Sequence, residues 1–186
     1  MPLENCVFHA VPETTSAVTE LLPLSARRES DPEGYRRALA KYDDTPARQR
    51  LRETWIPGVE AAWTEVVFLS PTHPHAIWRA WREIAGLELP PMSFWAIPVG
   101  DVPSPVLLDR QLSSTGEPID PREVTDLDPA TYRAARDTPD RHRQWITDLT
   151  AAGKQGAWFH GIPHVLSRGP VPLTRARIVE WQHEGW

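Results

Sequence analysis

The sequence predicts one α+β domain over residues 1–186, with short helices around a strand-rich centre. Its 186 residues are an ordinary length for a single domain and enough to bury a core. Apolar, strand-like runs occur at 6–11, 63–70, 93–100 and 174–181, with helix-like segments between them. Twenty prolines favour many short elements joined by ordered turns.

Three helices are predicted from their start and stop signals. Segments 31–44 and 45–55 each open on a capping residue followed by proline. A longer helix is predicted from about His73 to Ala85, and Gly86 is its expected C-cap. Its apolar residues fall on one face, namely Ile77, Trp81 and Ile84.

The remaining segments carry weaker signals. A short strand or turn is predicted at 105–112 and a loop at 113–128. Short helices are predicted at 129–137 and 139–153, and a further strand at 156–162. A turn and a short helix are expected between residues 12 and 24.

Composition excludes several classes of function. The net charge is −5 and no basic run of five or more occurs, so a nucleic-acid partner is not expected. No apolar stretch approaches the ~20 residues of a membrane span, and the first residues do not resemble a signal peptide. A cytoplasmic protein is therefore expected. Cys6 is the one cysteine, which excludes an internal disulfide. Of the nine tryptophans, one or two are candidates to face a flat ligand.

Polar groups concentrate where one strand turns into a helix, in VVFLSPTHPHAIWRAWREI at 66–84. Ser70 and Thr72 place hydroxyls beside free backbone N–H groups, which suits an anionic or sugar ligand. His73 and His75 are expected at the exposed start of the helix. His9 lies inside an apolar strand, where a histidine is more often a satisfied core residue than a functional one.

Metal and serine-hydrolase chemistry are not expected. The HPH at 73–75 lacks helical i, i+4 spacing, and Gly161 and Pro163 argue against a helix in the HGIPH at 160–164. No Cys or acidic cluster completes a ligand set. FLSPT is not a Gly-x-Ser-x-Gly elbow.

Four segments in order resemble the rifamycin ADP-ribosyltransferase family. They are VFHAV, VVFLSPTHPHAIWRAWRE, FWAIPVGDV and VPLTRARIVEW. The uninterrupted match through Ala76, Ile77 and Trp78 supports the resemblance, and the tRNA 2′-phosphotransferases have a comparable order. Residues 20–62 and 111–165 have no counterpart.

The resemblance implies a split β-sheet core, NAD as a substrate and a small-molecule or protein acceptor. A histidine on the first strand would bind the adenosine-side ribose, and a hydroxyl on the second would bind near the nicotinamide ribose. An aromatic ring would stack on nicotinamide, and an arginine would neutralise the pyrophosphate. The implied catalytic residues are His9, Ser70 and Asp101. The implied NAD-binding residues are His9, Phe68, Ser70, Thr72, Trp78 and Arg82.

The sequence also departs from the family. Phe68 stands where a tyrosine is expected, and Ala10-Val11 replaces Gly-Thr after the histidine. The family's acid has several possible counterparts, among them Asp101 and Asp109. An alternative therefore stays open, in which a catalytically diverged member binds a nucleotide or metabolite, or performs a different small-molecule reaction in the same cleft. The acceptor and the oligomeric state are left open.

Overall fold

The computed structural model describes residues 2–12, 18–154 and 156–185. The protein is α+β, as the sequence predicts. Its helices are α1 Arg27–Ser30, α2 Pro32–Ala40, α3 Pro46–Leu51, α4 Pro74–Ala85 and α5 Asp140–Ala151. Its strands are β1 Cys6–Ala10, β2 Glu20–Leu21, β3 Trp55–Ile56, β4 Ala61–Ala62, β5 Val67–Leu69, β6 Ser93–Pro98, β7 Val106–Leu108, β8 Val124–Asp126, β9 His164–Ser167, β10 Val171–Pro172 and β11 Arg177–Glu180.

Two antiparallel sheets form the centre. One has the strand order β1-β6-β11 and the other β5-β9-β7-β8. They meet at a single bridge, where Phe8 N–H donates to Ser70 O at 2.9 Å and Ser70 N–H donates to Phe8 O at 2.7 Å. Strands β1, β5, β6 and β11, which carry the four segments of the resemblance, therefore lie in one central region.

Strand β5 of the four-stranded sheet packs against a hydrophobic core on each face. Val67 and Leu69 of β5 belong to the main core, which also contains Phe94 and Trp181. Alternation along the strand turns Phe68 to the opposite face, where a second core lies. That second core includes Ile56, Trp63, Leu108 and Leu166.

Helices α4 and α5 pack together through a third cluster. Ile77 and Trp81 of α4 contact Ile146 and Leu149 of α5, so the predicted apolar face of α4 is confirmed. Gly86 closes α4 with a φ of 65°, a left-handed conformation that glycine adopts without strain. In the described part of the chain, no helix is long and apolar enough to cross a membrane.

Helices α2 and α3 begin where the sequence predicts. Asp31 accepts a hydrogen bond from Gly34 N–H at 2.9 Å, and Thr45 accepts one from Arg48 N–H at 3.2 Å. Both helices end earlier than predicted. The turn and short helix predicted between residues 12 and 24 fall partly on residues 13–17, which lie outside the described residues. The described residues 18–24 contain strand β2 and no helix.

Two predicted elements are wrong. Segment 129–137 is not a helix, because its backbone serves tertiary contacts: Ala134 N–H donates to Glu4 O at 2.7 Å and Ala135 N–H to Pro71 O at 2.9 Å. Segment 156–162 has no strand in its described residues. The strand β9 begins two residues later, after Pro163.

The segment at 113–128 is more ordered than the predicted loop. It contains a short 3-10 helix, Pro121–Glu123, followed directly by β8.

Candidate functional site

His9 lies on β1 in a half-buried position. Its Nδ1 is 2.8 Å from its neighbour's carbonyl, Ala10 O, and its ring lies 6.1 Å from that of Trp95. Burial lowers the pKa of His9, and the hydrogen bond to Ala10 opposes this in part. Directly opposite residues of antiparallel strands share a face, so Ser70 lies with Phe8 and not with His9. The predicted pair His9 and Ser70 is thus close in the backbone but divided between two faces.

The hydroxyl of Ser70 is used within its own turn. It donates to Thr72 O at 2.9 Å and accepts from Thr72 N–H at 3.1 Å. Thr72 itself is 1% exposed. This corner is therefore built as a closed turn that starts α4.

The other predicted residues are spread over the surface of the central region. Trp78 stacks on His75, and Arg82 lies over the Trp78 ring. Asp101 forms a bidentate ion pair with Arg175. None of these side chains lines either of two cavities, of about 510 and 360 Å³, beside the four-stranded sheet.

Phe68 lies behind the wall of the larger cavity. Its ring contacts Trp63 at 4.4 Å and meets His164 edge-on at 5.4 Å. Trp63 and His164 both line the larger cavity, so Phe68 supports the cavity wall from behind.

The expectation that His73 is exposed is wrong. His73 is 1% exposed, caps α4 by accepting from His75 N–H at 3.2 Å, and meets the ring of Phe8 edge-on at 5.0 Å. Burial, with smaller contributions from His75 and Arg136, lowers the pKa of His73 to about 4. His73 is therefore neutral near pH 7.

This burial predicts an acid-sensitive fold. An unfolded histidine has a pKa of about 6.5, so the unfolded chain binds a proton first as the pH falls. The stability linked to neutral His73 is full above about pH 6.5 and is lost progressively towards about pH 4, its folded pKa. His73→Asn, which can still cap α4, should flatten the dependence of unfolding free energy on pH in this window. Urea unfolding at several pH values measures it, and an unchanged slope would contradict the assignment.

The larger cavity has a volume of about 510 Å³ and lies over the second core. Its apolar lining is Leu51, Trp63, Leu108, Phe159 and Ile162. Its polar lining is Arg110, Ser113, Ser114, Thr115, Arg141, His160 and His164. Among the described residues that line it, none is an acid. We call this the basic cavity.

Arg110 is half-buried at the end of β7. Its Nε donates to Ser113 Oγ at 3.2 Å, a second N–H donates to Ser114 O, and the guanidinium lies 5.8 Å from the Trp63 ring centre. It forms no ion pair with any residue that the structure describes. Burial lowers the pKa of Arg110, whereas the charges of Glu123 and Glu117 raise it. The cavity therefore holds a partly desolvated cation whose direct partners are neutral.

A buried carboxylate fixes the loop beside Arg110. Glu123 is 4% exposed and accepts from Leu112 N–H at 2.5 Å, Ser113 N–H at 2.9 Å and Asp120 N–H at 3.2 Å, and also from the Ser113 hydroxyl. Burial by itself raises the pKa of Glu123, but the hydrogen bonds together outweigh it and hold the pKa below its usual range. The hydroxyls of the 113–115 loop are thus presented on a rigid support.

Arg141 is the second cation of the cavity. It forms an ion pair with Asp109, and its Nε donates to Gly161 O at 2.7 Å. Because Asp109 balances its charge, Arg141 contributes less to the field inside the cavity than Arg110 does.

His164 and His160 are the imidazoles of the cavity. Burial, followed by the positive charges of Arg110 and Arg141, lowers the pKa of His164 to about 4, and Asp109 opposes this. His160 is exposed and packs on Trp145 at 4.1 Å. Across the described ranges, no group of three or more His, Cys, Asp or Glu side chains is placed to hold a metal ion.

A second cavity of about 360 Å³ lies on the other side of β7. Thr72 and Tyr132 contribute to its wall together with Asp126, Asp128 and Asp137. The Tyr132 hydroxyl is committed to Cys6 O at 3.1 Å and Pro71 O at 3.3 Å, and burial raises its pKa. This cavity is acidic, the opposite of the basic cavity.

Comparisons with known protein families, curated proteins and solved structures give no match for this chain. The function therefore has to be argued from the geometry of the site.

The sequence alone does not identify the basic cavity. Its residues come from five separate parts of the chain, and the loop at 113–115 carries no motif. One local signal is present: DRQLSST, at 109–115, overlaps the strand or turn predicted at 105–112 and places an arginine close to hydroxyl side chains.

Proposed function

We propose that the protein binds a small anionic molecule of the nucleotide class in the basic cavity. Arg110 carries the proposal, because a half-buried guanidinium without a carboxylate partner is stabilised by a bound anion. The absence of acids among the described lining residues agrees with it. The volume of about 510 Å³ lies within the usual range for small-molecule sites.

NAD belongs to this class of ligand, and ADP-ribosyl transfer is the reaction that the family resemblance adds. An ADP-ribosyltransferase-like split sheet is part of the same proposal. Its support is the meeting of β1, β5, β6 and β11 around the Phe8–Ser70 bridge. The predicted NAD-binding side chains are outside the basic cavity, and Ser70 is engaged in its own turn. Binding in the basic cavity without ADP-ribosyl transfer is therefore better supported than the transferase reaction. It shares nucleotide binding with the alternative predicted from the sequence, but it uses a different cavity from the predicted cleft.

Arg110→Gln is expected to weaken binding of pyrophosphate, ADP-ribose and NAD. Hydrogen bonds to a charged group contribute roughly 1.5–3 kcal/mol, which corresponds to about a 10- to 100-fold loss of affinity. Isothermal titration calorimetry measures the affinities, and thermal unfolding with ligand checks them independently. Arg50→Gln is the matched control. The Nε of Arg50 donates a hydrogen bond at 3.2 Å to the carbonyl of Gly116, the residue after the 113–115 loop, but Arg50 does not line the cavity.

Two outcomes would redirect the proposal. Failure of all three ligands to bind the wild-type protein would overturn the nucleotide assignment. Release of nicotinamide from NAD, abolished by His9→Gln or Ser70→Ala and retained in Arg110→Gln, would instead favour ADP-ribosyl transfer at the sequence-predicted residues.

A further inference from the structure

The charged groups of the basic cavity are all hydrogen-bond donors. Arg110 and Arg141 cannot accept a hydrogen bond. Two acids lie beside the cavity: Asp109 is paired with Arg141 and accepts from the Gln111 amide, and both oxygens of Glu123 accept from the 112–120 loop. The oxyanion groups of phosphate or pyrophosphate are bound mainly by hydrogen-bond donors. A ligand that also carries hydroxyl groups needs an acceptor for their protons.

The Ser114 and Thr115 hydroxyls of the lining can accept, and His164 is placed to be an imidazole acceptor on the same cavity wall. It lies at the start of β9 in the cavity wall, and its ring forms no hydrogen bond with any described residue. The edge-on contact with Phe68 at 5.4 Å fixes the ring. Its lowered pKa, about 4, leaves the imidazole neutral, so one ring nitrogen carries a free lone pair. An imidazole without a protein partner beside two guanidiniums is suited to a ligand that has both an anionic group and a hydroxyl.

The Trp63 ring offers little surface for stacking a base, because it is 9% exposed and already contacts Phe68 and the Arg110 guanidinium. At this wall, recognition is therefore mainly polar, through donors to an anion and an acceptor to a hydroxyl.

We propose that the basic cavity recognises the sugar-phosphate part of its ligand, with Arg110 on the phosphate and His164 accepting a hydrogen bond from a sugar hydroxyl. This inference rests on the proposed anion binding and narrows the ligand to phosphorylated sugars, free or as the ribose phosphate of a nucleotide.

The test compares ribose 5-phosphate with n-pentyl phosphate, which has a phosphate on a five-carbon chain without hydroxyls. Calorimetry gives the ratio of the two affinities for the wild-type protein and for His164→Phe, with pyrophosphate as a third ligand. We expect His164→Phe to lower the preference for ribose 5-phosphate by about 3- to 10-fold, the worth of one neutral hydrogen bond. The affinity for pyrophosphate should stay within about twofold, because that ligand has no sugar hydroxyl for His164 to accept from.

Three further variants complete the experiment. His164→Gln keeps an acceptor and should restore part of the preference. His160→Phe is the matched control, because it removes an exposed imidazole of the same cavity and should leave the ratio unchanged. If circular dichroism shows that the larger ring of His164→Phe disturbs the fold, His164→Leu is used in its place.

The outcomes separate the two proposals. An unchanged ratio in His164→Phe, with pyrophosphate binding that still depends on Arg110, overturns the role of His164 and leaves the proposed function standing. An equal drop in His160→Phe also overturns that role. No binding of pyrophosphate to the wild-type protein overturns anion binding itself, and the sugar-phosphate inference falls with it.

Discussion

Replacing Trp181 with alanine is expected to destabilise the fold by about 3–5 kcal/mol, the usual cost of emptying a fully buried tryptophan site. Trp181 is 0% exposed, and its ring centre lies 5.4 Å from that of Trp158 and 6.1 Å from that of Phe94. Its Nε1–H donates to Pro90 O at 3.0 Å. The substitution would leave both a cavity and an unpaired carbonyl. Urea unfolding followed by circular dichroism measures the loss.

Ile178→Ala is the control for this variant. Ile178 lies three residues earlier, on β11, and is 54% exposed. Its truncation should change the unfolding free energy by less than about 0.5 kcal/mol. Similar losses for the two variants would mean that Trp181 is not packed as described.

Replacing Glu123 with alanine is expected to cost about 2–4 kcal/mol, because several donors lose a charged acceptor at once. These donors are the backbone N–H groups of Leu112, Ser113 and Asp120 and the Ser113 hydroxyl. The 113–115 loop should also loosen, so pyrophosphate affinity should fall together with stability. Glu117→Ala is the matched control in the same loop, since this exposed side chain accepts from Ser114 N–H alone, at 2.9 Å. A stability loss for Glu123→Ala no greater than that of the control would refute the supporting role.

The Glu123 effect should depend on pH in a defined direction. Because its pKa is lowered in the folded state, the stabilisation is present above the unfolded value of about 4.3 and is lost as the pH falls through the folded pKa. Glu123→Gln places an amide N–H₂ against N–H donors and should be clearly less stable than wild type at pH 7. The gap should narrow as the pH falls below the unfolded value of about 4.3, because the unfolded wild-type chain then binds a proton before the folded protein does. A stability difference that does not change with pH would mean that the charge of Glu123 does not cause the destabilisation of Glu123→Gln.

Local signals in the sequence predict much of the fold. The starts of α2, α3 and α4 are marked by a capping residue followed by proline, and the apolar runs of β1 and β6 leave little choice of structure. The predicted helix at 129–137 and the predicted strand at 156–162 are wrong for the same reason. Their residues have reasonable local propensities, but their conformation is set by contacts with distant chain segments, such as that of Ala134 with Glu4.

The candidate site is less predictable than the fold. His9, Ser70 and Thr72 attract attention because polar residues at strand ends often bind ligands, yet the same residues close turns and cap helices. The hydrogen-bond partners of the Ser70 hydroxyl lie two residues away. The sequence alone does not distinguish a hydroxyl that closes its own turn from one that binds a ligand. The basic cavity depends on β7 lying beside β9, and that pairing brings Leu108 opposite His164. The pairing of β7 with β9 joins distant parts of the chain, and no short sequence pattern predicts it.

The order β1-β6-β11 has a kinetic consequence. The two partners of β6 are separated along the chain by residues 11–176, so this sheet has a high contact order and should form slowly. During synthesis β1 and β6 can pair early, but the second edge of β6 stays open until residues 177–180 have been made. The open edge belongs to the apolar run SFWAIP, whose last five residues are buried in the native state. We therefore expect the nascent or refolding chain to be most prone to aggregation at this stage, before β11 covers β6.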